Sequence, residues 1–460
     1  MKRILTLMLG VAFILGAAAQ SSALEVQVSG EMDTIFGFSD NPGFSDDDVR
    51  DHFFARQRYR IGVDFIASEN LRGVLQFQIG TMEWGSADDG AQLDTTSATA
   101  KVRRAYIDWN VPDTSLNVKM GLQYIALPSA VFGNPFFGAN AAGIVLSAGL
   151  NDNITLSGIW ARPWHSSDSV KDNDTDMFAI VADFNYDSFA ISPWFSYTAV
   201  GANSGFWTEG YGPLHDPVYW TSDSGYGYDE SGDADIIAGG IAVTVTPIDD
   251  LEIKFDGMYA RLNNDGRNSD TMAPEGDGWL VALAVDYSMD WGTPGGFVWY
   301  ASGDSKSDQE NHKTGRMPIL GGDDGFAATR LAFPGSFSAG DDTWISTSGV
   351  GTWGLGVQIA DISFVEDLSH LVRVAYIQGT NHKDAVPDLY TGDEVFLTKR
   401  DWAIEIDFDT EYKIYENFTA LLELSYIYLD LDKKSGEYAA RGGDVDENAW
   451  NAQITFSYAF

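Results

Sequence analysis

The stretch Trp450-Asn451-Ala452-Gln453-Ile454-Thr455-Phe456-Ser457-Tyr458-Ala459-Phe460 decides how the rest of the chain is read. In an extended conformation Trp450, Ala452, Ile454, Phe456, Tyr458 and Phe460 point one way. Asn451, Gln453, Thr455, Ser457 and Ala459 point the other. Side chains alternate across a strand with a period of two, so this is a β-strand with one apolar and one polar face. A soluble sandwich strand alternates too, but rarely ends on an exposed aromatic.

The same period recurs toward the N-terminus. Val26, Val28, Met32, Phe36 and Phe38 alternate with Glu25, Gln27, Ser29, Glu31 and Asp33. Leu75, Phe77 and Ile79 alternate with Gln76 and Gln78; Val118, Met120, Leu122 and Tyr124 alternate with Asn117, Lys119 and Gln123. Phe418, Leu422, Leu424, Tyr426 and Tyr428 face away from Thr419, Glu423 and Ser425. No helical period of similar length occurs after the first twenty-odd residues.

Connections between these segments alternate in kind. Short ones repeat an acidic residue, then Asn or Asp, then an apolar residue: Glu69-Asn70-Leu71, Asp152-Asn153-Ile154, Asp249-Asp250-Leu251, Glu366-Asp367-Leu368 and Glu416-Asn417-Phe418. Asn and Asp suit tight turns because they tolerate left-handed backbone and bond their own main chain. Long ones are polar and acidic: 39–51, 85–98, 163–175, 201–234, 263–276, 304–348, 381–398 and 431–446. Segment 125–140 is the apolar member of this set.

Eighteen strands follow, near 25–38, 52–67, 71–84, 99–111, 115–124, 141–150, 153–162, 176–186, 188–200, 235–246, 251–262, 277–288, 295–303, 349–360, 369–380, 399–413, 417–430 and 447–460. Sixteen is the alternative if one hairpin is miscounted. An even count, with short turns at one end and long loops at the other, predicts an all-β fold: a transmembrane antiparallel up-and-down β-barrel. Closure of such a barrel leaves no unpaired edge in lipid. A soluble propeller has no reason to sort its connections by face.

Composition agrees. Asp and Glu outnumber Lys and Arg 67 to 28, a net charge of -39, which argues against nucleic acid as a partner. With 44% hydrophobic and 13% aromatic residues the charge is no sign of disorder. There is no Cys, hence no disulfide or thiol nucleophile, and the six His form no HExxH motif. Met1-Lys2-Arg3, the apolar Ile4 to Leu15 and the small Ser21-Ser22-Ala23 form a secretory signal peptide, residues 1–23, cleaved after Ala23. Ala17-Ala18-Ala19 is a second candidate site. Residues 24–460 then form a single barrel domain.

A barrel this wide is not filled by wall side chains alone, so a water-filled lumen is the default. Residues opposite the apolar face line it. On the second strand Arg56, Arg58 and Arg60 share a face, about 7 Å apart along the strand. Arg104, Lys119 and Arg373 face inward by the same alternation. Asp401, Glu405, Asp407, Asp409 and Glu411 form an acidic counterpart on the sixteenth strand, with Trp402, Ile404, Ile406 and Phe408 toward lipid. The two ladders together would set up a transverse field that sorts permeants. Alternatively each ladder solvates its wall or pairs with its neighbours.

The segment IALPSAVFGNPFFGAN, 125–140, is too apolar to stand in water. It folds into the lumen, caps the barrel, or packs against another subunit. The long loops carry carboxylate clusters: Asp46-Asp47-Asp48, Asp172-Asn173-Asp174-Thr175-Asp176, Asp323-Asp324 and Asp341-Asp342. They are oxygen-rich enough for Ca²⁺, but none has the EF-hand pattern, and solvated, mutually repelling loops are the preferred reading. No other cofactor or metal is expected.

The aromatic–x–Phe ending resembles the C-terminal signal of bacterial outer-membrane barrels. With the FARQRYRIGVDF strand at 54–65, the signal peptide and the short turns, the chain resembles outer-membrane homotrimeric porins of sulfate-reducing bacteria. The resemblance spans essentially the whole mature chain. It implies a homotrimer in the outer membrane of a Gram-negative bacterium, in contact with lipids, passing ions and small hydrophilic solutes by passive diffusion. In such porins the third long loop is the inserted constriction; here segment 125–140 lacks their acidic cluster. No nucleotide-binding loop, plug domain or energy-coupling box is evident, so active uptake is not expected. Inward arginines favour anions and inward carboxylates favour cations, which leaves the sign of selectivity open.

Two other functional classes fit the sequence less well. A barrel enzyme needs a nucleophile and base on neighbouring strands, and His52 and His370 show no Ser and carboxylate partners in the sequence. A structural or adhesive barrel would act through the long acidic loops and would show apolar inward faces, which most strands lack in this reading.

Overall fold

The computed structural model describes residues 24–40, 44, 52–87, 90–94, 98–166, 173–202, 204, 206, 233–264, 275–310, 313–321, 325–333, 345–346, 348–384, 395–434, 438, 443, 445 and 447–460. The expected signal peptide lies outside them. The strands are β1 (Glu25–Asp40), β2 (His52–Ser68), β3 (Leu71–Glu83), β4 (Ala100–Asn110), β5 (Leu116–Ala126) and β6 (Gly138–Asn151). Next come β7 (Ile154–His165), β8 (Asp174–Tyr186), β9 (Phe189–Val200), β10 (Ala234–Ile248), β11 (Leu251–Asn264), β12 (Glu275–Tyr287) and β13 (Thr293–Ala301). After a short helix α1 (Lys306–Glu310) follow β14 (Lys313–Thr314), β15 (Thr352–Val365), β16 (Leu368–Gly379), β17 (Trp402–Tyr415), β18 (Phe418–Asp430) and β19 (Asn448–Ala459).

Eighteen of these close a ring. Each pairs antiparallel with the next, β13 pairs with β15, and β1 closes on β19 from Glu31↔Ala459 to Asp40↔Trp450. The two-residue β14 stands apart from the ring. It belongs to the long connection 302–351 and pairs parallel with the start of β12, Glu275↔Lys313. The count of eighteen therefore holds, and most strand ends fall within a few residues of expectation. The largest extension is β15, expected to stop at 360. Its pairing with β16 shifts register between Ile359 and Ile362 and again before Val365, which interrupts the alternation by which an end is read.

A ring one sheet thick can cover side chains only on its inside. Outward residues are accordingly exposed and apolar: Phe178 is 49% exposed, Ile180 58% and Val357 62%. Such a face needs hydrocarbon, not water, around it. Aromatics edge it at both ends. Trp353, Tyr376, Trp402 and Tyr428 follow one another around the long-loop end with ring centroids 5.5, 6.0 and 5.6 Å apart. Tyr186 and Phe189, 4.8 Å apart, and Tyr458 and Phe460, 5.8 Å apart, mark the short-turn end. Two such girdles bracket the apolar band of an outer-membrane barrel.

The inward faces divide by chemistry. From β7 to β13 they are mostly small or apolar and buried: Ala161, Met177, Ala179, Val181, Trp194, Ile236, Ala238, Met258, Ala260, Leu262, Leu280, Ala282, Phe297 and Trp299. This departs from the expectation that most inward faces are polar. Alanine, small enough for either environment, hides the pattern in the sequence. Glycine admits the larger rings. An added Cβ at Gly354 would lie 2.3 Å from the Trp299 ring, and one at Gly356 2.3 Å from Phe297. Charged inward residues concentrate on β17 and β18 and on β1 to β5, with the uncharged Asn451, Gln453, Thr455 and Ser457 of β19 between the two groups.

Candidate functional site

The apolar connection between β5 and β6 folds inside. Leu127, Phe136 and Phe137 are buried, and Phe136 stacks on Trp194 of β9 at 5.9 Å. Asn134 shapes the turn: its Nδ2 donates to the Pro128 carbonyl at 2.9 Å and its Oδ1 accepts from the Phe136 amide at 3.0 Å. The loop is tethered to β11, five strands around the ring from β6. There Asp256, only 2% exposed, accepts from Ser129 Oγ at 2.6 Å and from the amides of Ala130 and Val131 at 2.8 and 2.9 Å. Burying a carboxylate is costly unless donors surround it, and three do here. Of the three places proposed for this segment, the structure selects the interior. The carboxylate that the loop lacks is supplied by the wall.

The described parts of the connection 302–351, residues 313–321 and 325–333 among them, fold inside as well. They meet the first loop through Leu320 N–H to Phe136 O at 2.9 Å and Ala327 N–H to Phe132 O at 2.8 Å. Phe132 packs edge-on against Phe297, Trp299 and Phe326, at 5.2, 6.0 and 4.9 Å. Thr329, Arg330, Leu331 and Ala332 wrap Glu405 of β17. The Thr329 hydroxyl donates at 2.5 Å, and the amides of Arg330, Leu331 and Ala332 donate at 2.9, 2.7 and 3.0 Å.

This contact changes what the acidic ladder is. Glu405 is 1% exposed, Asp407 0% and Asp409 5%, so these carboxylates lie under the loop and present no bare acidic wall to water. The Arg330 guanidinium bonds Asp409 and Glu423. Burial alone favours a neutral guanidine, but Glu423 and Asp409 outweigh it and hold the Arg330 pKa above the ordinary arginine value. Asp407 accepts from Ser425 Oγ at 2.7 Å, with the Arg373 guanidinium 3.9 Å away. Arg373 also donates to Ala328 O of the loop at 3.2 Å and to Gln358 at 3.2 Å. Asp401 caps Thr398, accepting its amide at 2.8 Å and hydroxyl at 2.6 Å. Glu411 is half-buried at the short-turn side of the ladder.

The arginine ladder has different surroundings. Arg56 lies over the Phe54 ring at 4.6 Å and pairs with Glu83 at 3.3 Å. Arg58 is buried and pairs with Asp33 of β1 at 3.2 Å, while Ser457 Oγ donates to the same carboxylate at 2.7 Å. Arg60, half-buried, donates to Gln78 at 2.9 Å. Pairing of β4 with β5 ends at Ala105↔Leu122. Beyond that point Arg104 lies over the Tyr124 ring at 5.5 Å and donates to Asn140 of β6 at 3.0 Å. It thereby spans the place where two strands part. Lys119 is half-buried in register with Asp108. The carriers β2, β4 and β5 lie close together in the ring, as expected.

Three participants escaped sequence reasoning. Arg103 stands at a bulge between Gln76 and Phe77, where strict alternation fails, and donates to Gln76 at 3.1 Å. Asp256 looks like any other wall carboxylate until its loop arrives. Arg330 sits in a long segment without period, though a ladder of like charges was itself a sign that a cation must come from elsewhere. Among the acidic clusters, Asp174 and Asp176 pair with Arg162 at 3.1 and 2.7 Å. Asp46-Asp47-Asp48, Asp323-Asp324 and Asp341-Asp342 lie outside the described residues, as does the His52 side chain. His370 bonds Thr410 Oγ1 at 2.9 Å and stacks on Phe408 at 5.9 Å.

No family model and no curated protein sequence matches the chain. Solved structures do match in fold. OpdK of Pseudomonas aeruginosa, crystallised with vanillate, superposes with a TM-score of 0.55 at 9% identity, over 95% of this chain and 98% of that one. OpdQ of Pseudomonas aeruginosa gives 0.54 at 11%, over 95% and 99%. OccAB3 of Acinetobacter baumannii gives 0.55 at 10%, over 95% and 99%. The whole barrel, not a fragment, is the similar unit.

Proposed function

We propose that the chain is an outer-membrane porin of a Gram-negative bacterium, a channel for passive diffusion of ions and small hydrophilic solutes. The observation that carries this reading is the division of the inward faces. Two loops pack against the apolar strands β7 to β13, while β1 to β5 keep a cluster of half-buried cations, with Arg60, Arg104 and Lys119 among them. Charges cannot be kept inside a lipid-embedded ring without water or partners beside them. The diffusion path then runs along the β1 to β5 side, and Arg56, Arg58, Arg60, Arg104 and Lys119 are its basic lining, whereas Arg373 lies on β16 against loop residue Ala328. The two loops narrow it on the other side.

Conductance in a planar lipid bilayer tests this. Stable steps proportional to salt concentration support a hydrated pore. A folded barrel that inserts and passes no current overturns it and favours a structural or adhesive barrel, for which the packed apolar half of the interior would be the reason. Vanillate, held by one of the similar structures, is the first solute to try as a competitor of ion flow. Assembly as a homotrimer and cleavage of the signal peptide after Ala23 complete the proposal. Native mass spectrometry of the purified protein tests both, through subunit number and mature mass.

A further inference from the structure

Asp409 and Glu423 face each other directly across the β17–β18 pair. Like charges at directly opposed positions repel, and both are nearly buried, which makes the repulsion worse. Glu405 and Asp407 stand on the same face of β17, each two residues from the next. Four carboxylates thus share one patch of inner wall. One loop residue meets three of them: Arg330 gives one guanidinium nitrogen to Asp409, the other to Glu423, and its amide to Glu405. The planar fork of arginine suits this, since two parallel donors can each take a separate carboxylate.

We propose that Arg330 is a selectivity-determining residue, a charge mask that hides the acidic wall from permeating ions. The inference rests on the channel reading above and adds to it. The lumen potential is set by the basic wall on β2 to β5 only while loop 302–351 holds this guanidinium against β17 and β18. Among the described residues, the patch then still has Arg373, 3.9 Å from Asp407. The preference of the pore between cations and anions is therefore written in a loop, not in the wall alone.

The test is the reversal potential of Arg330→Gln and Arg330→Lys, with wild type, in bilayers under a potassium chloride gradient. Heat-modifiable gel mobility reports that each barrel is folded. Arg330→Gln is expected to move the reversal potential toward the potassium equilibrium potential, and Arg330→Lys, which keeps the charge, to stay near wild type. An unmoved reversal potential in conducting Arg330→Gln channels overturns the mask. So do equal shifts in both variants, which would make loop position, not charge, the cause. A wild-type barrel that passes no current overturns the channel reading itself, and the mask with it.

Discussion

Asp256 on β11 and Glu405 on β17 hold the two inward loops by the same device. Each carboxylate accepts a hydroxyl and the amides that follow it, from Ser129-Ala130-Val131 in one case and from Thr329-Arg330-Leu331-Ala332 in the other. A hydroxyl residue followed by consecutive free amides is an anion-binding turn. Here the anion belongs to the wall, so an acid on a strand becomes the peg on which a loop hangs.

Removing the peg should free the loop. Hydrogen bonds to a charged group contribute about 1.5–3 kcal/mol each, so Asp256→Ala is expected to release segment 127–137 from β11 while the ring stays closed. Single-channel conductance should rise and become noisier. Unchanged step size would mean that this loop does not narrow the path.

Glu405→Gln keeps shape and half the accepting capacity, and should loosen segment 325–333 less than Glu405→Ala does. Limited proteolysis of the folded protein in detergent reads this directly. Cleavage within the segment is expected to be slow in wild type, faster in Glu405→Gln and fastest in Glu405→Ala. Equal rates in all three would show that the cradle does not hold the loop.

Among the arginines, Arg60 and Arg58 should answer differently to reversal of charge. Arg58→Glu puts a second carboxylate against Asp33, which Arg58 meets at 3.2 Å. Breaking a buried pair this way costs about 3–5 kcal/mol, and the urea midpoint of unfolding should fall. Arg60 bonds the neutral Gln78. Across the β1–β2 pair it faces the half-buried Glu31. Arg60→Glu should therefore shift the reversal potential toward cations at a smaller cost in stability than Arg58→Glu, whose partner Asp33 is fully buried. A selectivity unmoved by Arg60→Glu would place the narrowest point away from β2.

On the outward face, Ile180 is 58% exposed in the middle of β8. Arginine near the bilayer midplane of such a barrel costs about 2–4 kcal/mol. Ile180→Arg should lower the urea midpoint in phospholipid vesicles accordingly. No change would put this face in water.

Sequence period revealed the ring because one side of every strand meets hydrocarbon, and that constraint is local. Turns were legible for the same reason: Asn70 or Asn153 acts within its own few residues. The contents of the ring were not. Ser129 and Asp256 are brought together only by closure of the barrel, and within β11 Asp256 alternates like Glu252 and Lys254 beside it. The apolar inward faces hid behind alanines, as at Ala179, Ala238 and Ala260, which read as polar-side fillers until Met317 and Ile319 are seen buried in the same interior. Arg103 was missed at a bulge, where counting by twos fails.

The seating of Trp299 over Gly354 ties the two regimes of the ring together. From β7 to β13 the barrel is built as a soluble protein is, with rings and methyl groups interlocked on its inner side. Substitutions there will be judged by fit, and their penalties will register as lost protein. Along β1 to β5 the half-buried Arg60, Arg104 and Lys119 line the proposed path, and substitutions at them will be judged by traffic, whereas the buried Arg58 is held by its pair with Asp33. On the channel reading proposed above, half-buried charges on one arc of the circle set what passes, and the packed rings and methyls of the other set how firmly it closes.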